Sequence, residues 1–213
     1  MAKLMAGSAF RSAMHRGKYD AHIAPINYLV DELGSGDESG GQWVPHVAPI
    51  HGGTKARVLA LLSDPGPKTS KTSGSGMICF ENDDPTAAML GQLFDQVSIP
   101  LNETMIWNAH PWYRHGTANL RAADLRRGID PLKRVIDLMP DVRAVVLFGS
   151  NAQKSWKYFA QAHPQTAQKV MGIHSPHPGT QALWSPDPQE RERRLRRRIA
   201  AMREARDALD QPE

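Results

Sequence analysis

Apolar residues gather in four short runs, separated by longer segments whose apolar positions repeat with helical spacing. The first run, ARVLALL (56–62), is short and ends in SDPGP, the mark of a buried strand. DPTAAMLGQLFDQV (84–97) has helical spacing and an Asp-Pro start that suits a helix N-terminus. ETMIWNA (103–109) predicts a second strand, broken by HPWY, and residues 122–138 predict one helix closed by Pro140. RAVVLFGS (143–150) predicts a third strand, NAQKSWKYFAQAH (151–163) a helix, and KVMGIHS (169–175) a fourth strand stopped by PHPG. Helices between strands of this length imply an α/β fold, a three-layer αβα arrangement around a central four-stranded parallel sheet.

On this pattern, residues 1–44 are an N-terminal extension with a helix near Ala24–Glu32. A Gly/Ser/Asp-rich break follows at 33–42, and an ordered loop at 44–53. Residues 45–184 form the α/β domain, and 185–213 a basic C-terminal helix. Ligands of open parallel sheets bind outside the carboxyl ends of the strands. The loops SDPGP, NAHPWY, GSNAQ and HSPHPG should therefore converge on one cleft, although they are far apart in sequence.

These loops hold the candidate chemistry. Asp64, flanked by Ser63, Pro65 and Gly66, either ends its strand in an Asx-turn or presents a carboxylate to a water or a developing cation. Pro65 stiffens the backbone there, and Gly66 lets a ligand come close. Asn108 carries a donor and an acceptor, enough to read a pyrimidine edge or to tie down the next turn. Trp112 and Tyr113 are core residues or walls for a planar ligand. His174 and His177 flank the last loop, where imidazole can serve as acid, base or electrophile.

Composition narrows the reading. Cys79 is the only cysteine, which excludes an intrachain disulfide and a cysteine-ligated iron–sulfur or zinc site. There is no HExxH pair, and GSGSG lacks the spacing and the Lys-Ser/Thr of a phosphate-binding P-loop. No apolar run is long enough for a membrane span, and the N-terminus lacks a signal-peptide core, so a cytoplasmic location is expected. The net charge of +4 and a pI near 9.3 favour a polyanionic partner. Eight arginines stand between Arg191 and Arg206, either as a solvated terminal helix or as phosphate contacts.

Taken in order, the motifs resemble those of the uracil-DNA glycosylase superfamily, over residues 45–183. LLSDPGP stands where that family has a strand followed by Gly-x-Asp-Pro-Tyr or Gly-Glu-Ala-Pro-Gly. Phe80 in GMICF corresponds to the base-stacking phenylalanine, and Asn108 in WNAHPWY to the base-reading asparagine. HPGT (177–180) corresponds to the closing His-Pro-Ser-Pro loop. Gly66 stands in place of the tyrosine that excludes the 5-methyl of thymine, so the resemblance implies a pocket more permissive than a strict uracil site. The Pro-Gly ending is similar to branches that carry an iron–sulfur cluster, which one cysteine cannot hold.

The resemblance implies a cofactor-free, metal-free, monomeric DNA-repair glycosylase that flips a damaged base out of DNA and hydrolyses its N-glycosidic bond. Asp64 and His177 would be catalytic, with His174 the other candidate for the histidine role. Ser63, Pro65, Gly66, Phe80, Asn108 and His174 would bind substrate. Pro178, Gly179, Thr180, Arg191 and Arg194 would contact DNA. The alternatives are a non-catalytic DNA-binding relative and a hydrolase of free nucleosides.

Overall fold

The computed structural model describes residues 3–34, 38, 40–116 and 119–211. The Gly/Ser/Asp-rich break at 33–42 lies partly outside them. In chain order the elements are α1 (Ser8–Arg16), α2 (Ala24–Leu33), β1 (His46–Val47), β2 (Val58–Leu62), β3 (Met77–Ile78), α3 (Pro85–Gln96) and β4 (Thr104–Asn108). Then follow α4 (Ala122–Arg127), α5 (Ile129–Asp137), β5 (Ala144–Phe148), α6 (Ser150–Ala162), α7 (Pro164–Lys169), β6 (Met171–Ser175) and α8 (Pro188–Asp210). The fold is α/β, with a four-stranded sheet in the order β4-β2-β5-β6, every pair parallel, flanked by helices.

All four predicted strands form, because each is an apolar run too short for a helix yet long enough to cross a core. The strands β2, β4 and β5 are buried at all five positions, as expected of parallel strands covered on both faces. The edge strand β6 alternates, burying Ile173 and Ser175 and exposing His174. Against β5 and β2 lies α6, with α4, α5 and α7 beside it; α8 lies against β5 and β6.

Three features depart from the sequence pattern. The single helix predicted over 122–138 is two helices that meet at Gly128. Gly128 packs against the loop after β4, where a Cβ would overlap the carbonyl oxygen of Ala109, so close packing sets this break. The loop 44–53 contains β1, which pairs in parallel with β3 as a second, two-stranded sheet. Two residues are too few for alternation to register. The helices α1 and α7 were likewise not read from the sequence.

One core joins the parts that composition separated. Ile26, Leu29 and Val30 of α2 and Ala201, Met202, Ala205, Ala208 and Leu209 of α8 belong to the same buried cluster as the sheet. The C-terminal helix therefore puts its small and apolar side in the core and its arginines outside, with the exception of the buried Arg198. A smaller cluster of Met5, Ala48, Met77 and Cys79 holds Phe10 and Met14 of α1 against the body.

Candidate active site

The parallel register aligns the carboxyl ends of the strands. Leu62 is opposite Asn108, and Phe148 is opposite Ser175. Backbone bonds carry the alignment into the loops: Ala109 N–H donates to Leu62 O at 2.8 Å, His110 N–H to Ser63 O at 2.9 Å, and Gly149 N–H to Ser175 O at 2.9 Å. Asn151 Nδ2 donates to Ser63 Oγ at 3.0 Å, joining the third loop to the first. The first loop, Asn108 of the second and His177 of the last enclose a cavity of about 400 Å³ with the start of α3; the third loop, expected to join them, lines a neighbouring groove instead. Ser63, Asp64, Pro65, Gly66, Asn108 and His177 all line the cavity.

Each chemical group has a distinct setting. Asp64 is half-buried, and its carboxylate has no hydrogen-bond partner among the described residues. Asn108 is buried at the end of β4 and faces the cavity. His177 receives a hydrogen bond at Nδ1 from the backbone N–H of Gly179, at 3.0 Å. A backbone amide can only donate, so Nδ1 carries the lone pair and the neutral ring bears its proton on Nε2. Burial first, and then the nearby Arg198 cation, push the His177 pKa below its usual value; Asp64 pulls it the other way.

The His177 loop is braced from two sides. Gly149, at φ +86°, packs under it, and a Cβ there would come within 3.2 Å of His177 Cβ. From α8, Arg198 donates through Nη2 to the carbonyl of His177 and, at 3.4 Å, to that of Gly179. Arg198 is 1% exposed, and among the described residues its charge meets no carboxylate. Burial lowers its own pKa, and its Nε has no partner among the described residues.

Other expected residues fall elsewhere. His174 is exposed and lines not the cavity but an adjoining groove, with Glu190, Arg194 and Arg197; His177 borders both. Phe80 is a core residue, 3% exposed, stacked on Phe94 with ring centroids 5.3 Å apart and edge-on to His51. Its neighbours Ile78 and Cys79 line the cavity in its stead. The stacking role expected for Phe80 is thus not met by its position: the turn after β3 directs that ring inward. Trp112 and Tyr113 are core too, Trp112 Nε1 donating to Leu33 O at 3.0 Å.

Pro178 is buried and Thr180 exposed, and neither borders the cavity. Arg191 donates to Ser185 O at 2.8 Å, and Arg194 to Glu190 at 2.9 Å and to Trp184 O at 2.8 Å. Both cations therefore have partners within the protein.

Sequence reasoning missed Asn82. It is buried, its Nδ2 donates to Met77 O at 2.9 Å, and its Oδ1 has no partner among the described residues. It lines the cavity beside the start of α3, where Asp84 caps the helix by accepting from Ala87 N–H at 2.9 Å. The signal was hidden because ENDDP reads as helix-capping chemistry.

Among the described residues no group of three or more His, Cys, Asp or Glu side chains stands together as a metal site, and no helix is long and apolar enough to cross a membrane. No family model matches the chain, and no curated protein matches it.

Proposed function

We propose that the protein is a base-excising N-glycosidase of the uracil-DNA glycosylase type, acting on a damaged nucleotide turned out of DNA. The observation that carries this reading is the meeting, in one cavity, of an unpaired carboxylate, a side-chain amide and a neutral histidine with its proton on Nε2. A cavity of about 400 Å³ is in the range of small-molecule sites and accommodates a nucleobase.

The chemistry follows from the charges that develop. Breaking an N-glycosidic bond leaves positive charge on the sugar and negative charge on the departing base. Asp64 stabilises the cation and orients the attacking water, as carboxylates do at oxocarbenium-like transition states. His177 donates its Nε2–H to the oxygen on which the base anion forms, and Arg198 behind it adds a positive field. Asn108 reads the base edge with its amide. Ile78, Leu90 and Ile106 give the ring an apolar bed. Extruding the base costs a few kcal/mol, which contacts to the backbone of the strand offset.

Incubating the protein with oligonucleotides that each contain one uracil, hypoxanthine or xanthine tests the reading. The expected result is free base and an alkali-labile abasic strand, with none released from deoxyuridine. Release from the free nucleoside would point to a nucleoside hydrolase, and no release from any substrate would overturn the proposal.

A further inference from the structure

The cavity continues outward along one side. Lys68 lines its rim and also lines a hollow of about 140 Å³. That hollow shares Arg11, Ser73, Gly74 and Ser75 with a groove of about 610 Å³ between α1 and the 67–76 loop. Arg11, His15, Lys18 and Lys71 line the groove, alongside Trp43 and His46.

The local structure explains why positive charge collects there. Phe10 and Met14 of α1 pack onto the body of the domain. Arg11 and His15, one helical turn apart, stand side by side next to them, and Lys18 lies in the turn that follows α1. His15 Nε2 donates to Ser75 O at 2.8 Å and ties the helix to the loop. The loop is internally fixed: Ser70 Oγ donates to Glu38 at 2.6 Å, and the Thr72 N–H and hydroxyl donate to Glu38 at 3.0 and 3.1 Å.

Three of the acids nearby are already engaged, while Asp20, in the turn after α1, is exposed. Glu38 is buried beneath Ser70 and Thr72, Asp31 accepts from Tyr19 and His46, and Asp83 pairs with Lys3 at 2.8 Å. Among the described residues Arg11, Lys18, Lys68 and Lys71 form no ion pair; Lys18 lies over the Tyr19 ring, and Arg11 donates to Met5 O at 3.5 Å. On α8, by contrast, Arg193, Arg194, Arg196 and Arg206 pair with acids. Asp31 lies within electrostatic reach of Lys18 and Asp83 within reach of Lys68, but neither carboxylate holds the cation in an ion pair. A track of cations held in no ion pair, leading from the rim of a cavity, fits a polyanion that passes across it.

We propose that the groove between α1 and the 67–76 loop binds the sugar–phosphate backbone of the DNA strand whose nucleotide enters the cavity. Arg11, Lys18, Lys68 and Lys71 are its phosphate contacts. The identity of the strand rests on the base-excision reading; phosphate binding by the groove does not.

The test is fluorescence anisotropy with a labelled single-stranded oligonucleotide carrying one uracil, titrated over a salt series. Each phosphate contact adds about 0.7 to the slope of log affinity against log salt for a single strand, so Arg11→Ala/Lys18→Ala/Lys71→Ala should lower it by about 2. Affinity at low salt should fall by about tenfold or more. Arg11→Lys/Lys71→Arg, which keeps the charges, should retain the slope and guards against a folding defect. Arg191→Ala/Arg194→Ala should leave it near wild type. Equal slope and affinity in wild type and the triple variant overturn the groove, even if the protein excises base. Loss of binding in that variant, with no excision by wild type, upholds the groove and overturns the glycosidase reading. A wild type that binds no oligonucleotide overturns both.

Discussion

The backbone N–H of Gly179 donates to Nδ1 of His177 at 3.0 Å, and that contact decides which ring nitrogen of His177 carries the proton. The donor nitrogen, Nε2, is left free for a ligand in the cavity that His177 lines together with Asp64 and Asn108. His177→Ala should therefore slow single-turnover base release by about 10²–10³-fold, the cost of removing one donor to a developing anion. His174→Ala should cost far less, because His174 is exposed and lies outside the cavity. Rapid-quench assays with both variants check this. A larger loss in His174→Ala would move the catalytic histidine three residues back.

Asp64→Asn should lower the single-turnover rate by about 10²–10⁴-fold while DNA binding holds or tightens. The amide keeps the shape of the side chain but removes the negative charge that serves the cationic sugar. Comparing dissociation constants with rates separates the two effects. Equal losses in both would assign Asp64 a structural role.

Arg198 acts through His177. Arg198→Met should slow release between about tenfold and 10²-fold through loss of loop position. It should also move the acid limb of the rate profile to higher pH. The sign follows from the charges: the Arg198 cation depresses the His177 pKa, so without it His177 protonates, and loses its neutral form, at higher pH. Burial persists as the larger cause, so the pKa should stay below its ordinary value. The His177 ring protons, followed by NMR across pH, report this without any substrate.

Gly66 lies at the cavity wall, and a Cβ built there meets nothing within 4 Å. Gly66→Tyr should therefore fold with stability within about 0.5 kcal/mol of wild type. It should reduce release of hypoxanthine more than release of uracil, because the added ring takes space that a larger base needs. A lesion panel measured on both proteins checks the ratio. An unchanged ratio would show that Gly66 does not set selectivity.

His51 gives a stability prediction. It is 0% exposed, and burial pushes its pKa down to about 3. In the unfolded chain it titrates near the ordinary value, so below that pH the unfolded state binds a proton that the folded state refuses. Its stabilising effect is present at neutral pH and drains as pH falls through about 6.5 toward 3, by about 2 kcal/mol between pH 8 and pH 5. Urea midpoints across that range in wild type and His51→Phe should diverge accordingly.

The sequence by itself determined the alternation of strands and helices, and hence the parallel sheet. Runs such as VLALL and AVVLF are too short and too apolar to be anything but buried strands. It also determined that Asp64, Asn108 and the closing loop lie at one end of the sheet, because each directly follows a strand. Tertiary structure decided the rest. Whether His174 or His177 faces the cavity depends on the path of a loop set by Gly149 beneath it and Arg198 behind it, contacts that no local pattern encodes. Phe80 turned inward because Phe94 and His51 offered it apolar and edge-on contacts from elsewhere in the chain. On α8, Arg193, Arg194, Arg196 and Arg206 pair with acids three or four residues away on the same helix, a local pattern already present in the sequence, while the scattered Arg11, Lys18 and Lys71 become a groove only when α1 docks. Periodicity is a property of neighbours along the chain; the direction of a side chain and the docking of a helix are set by residues far along it.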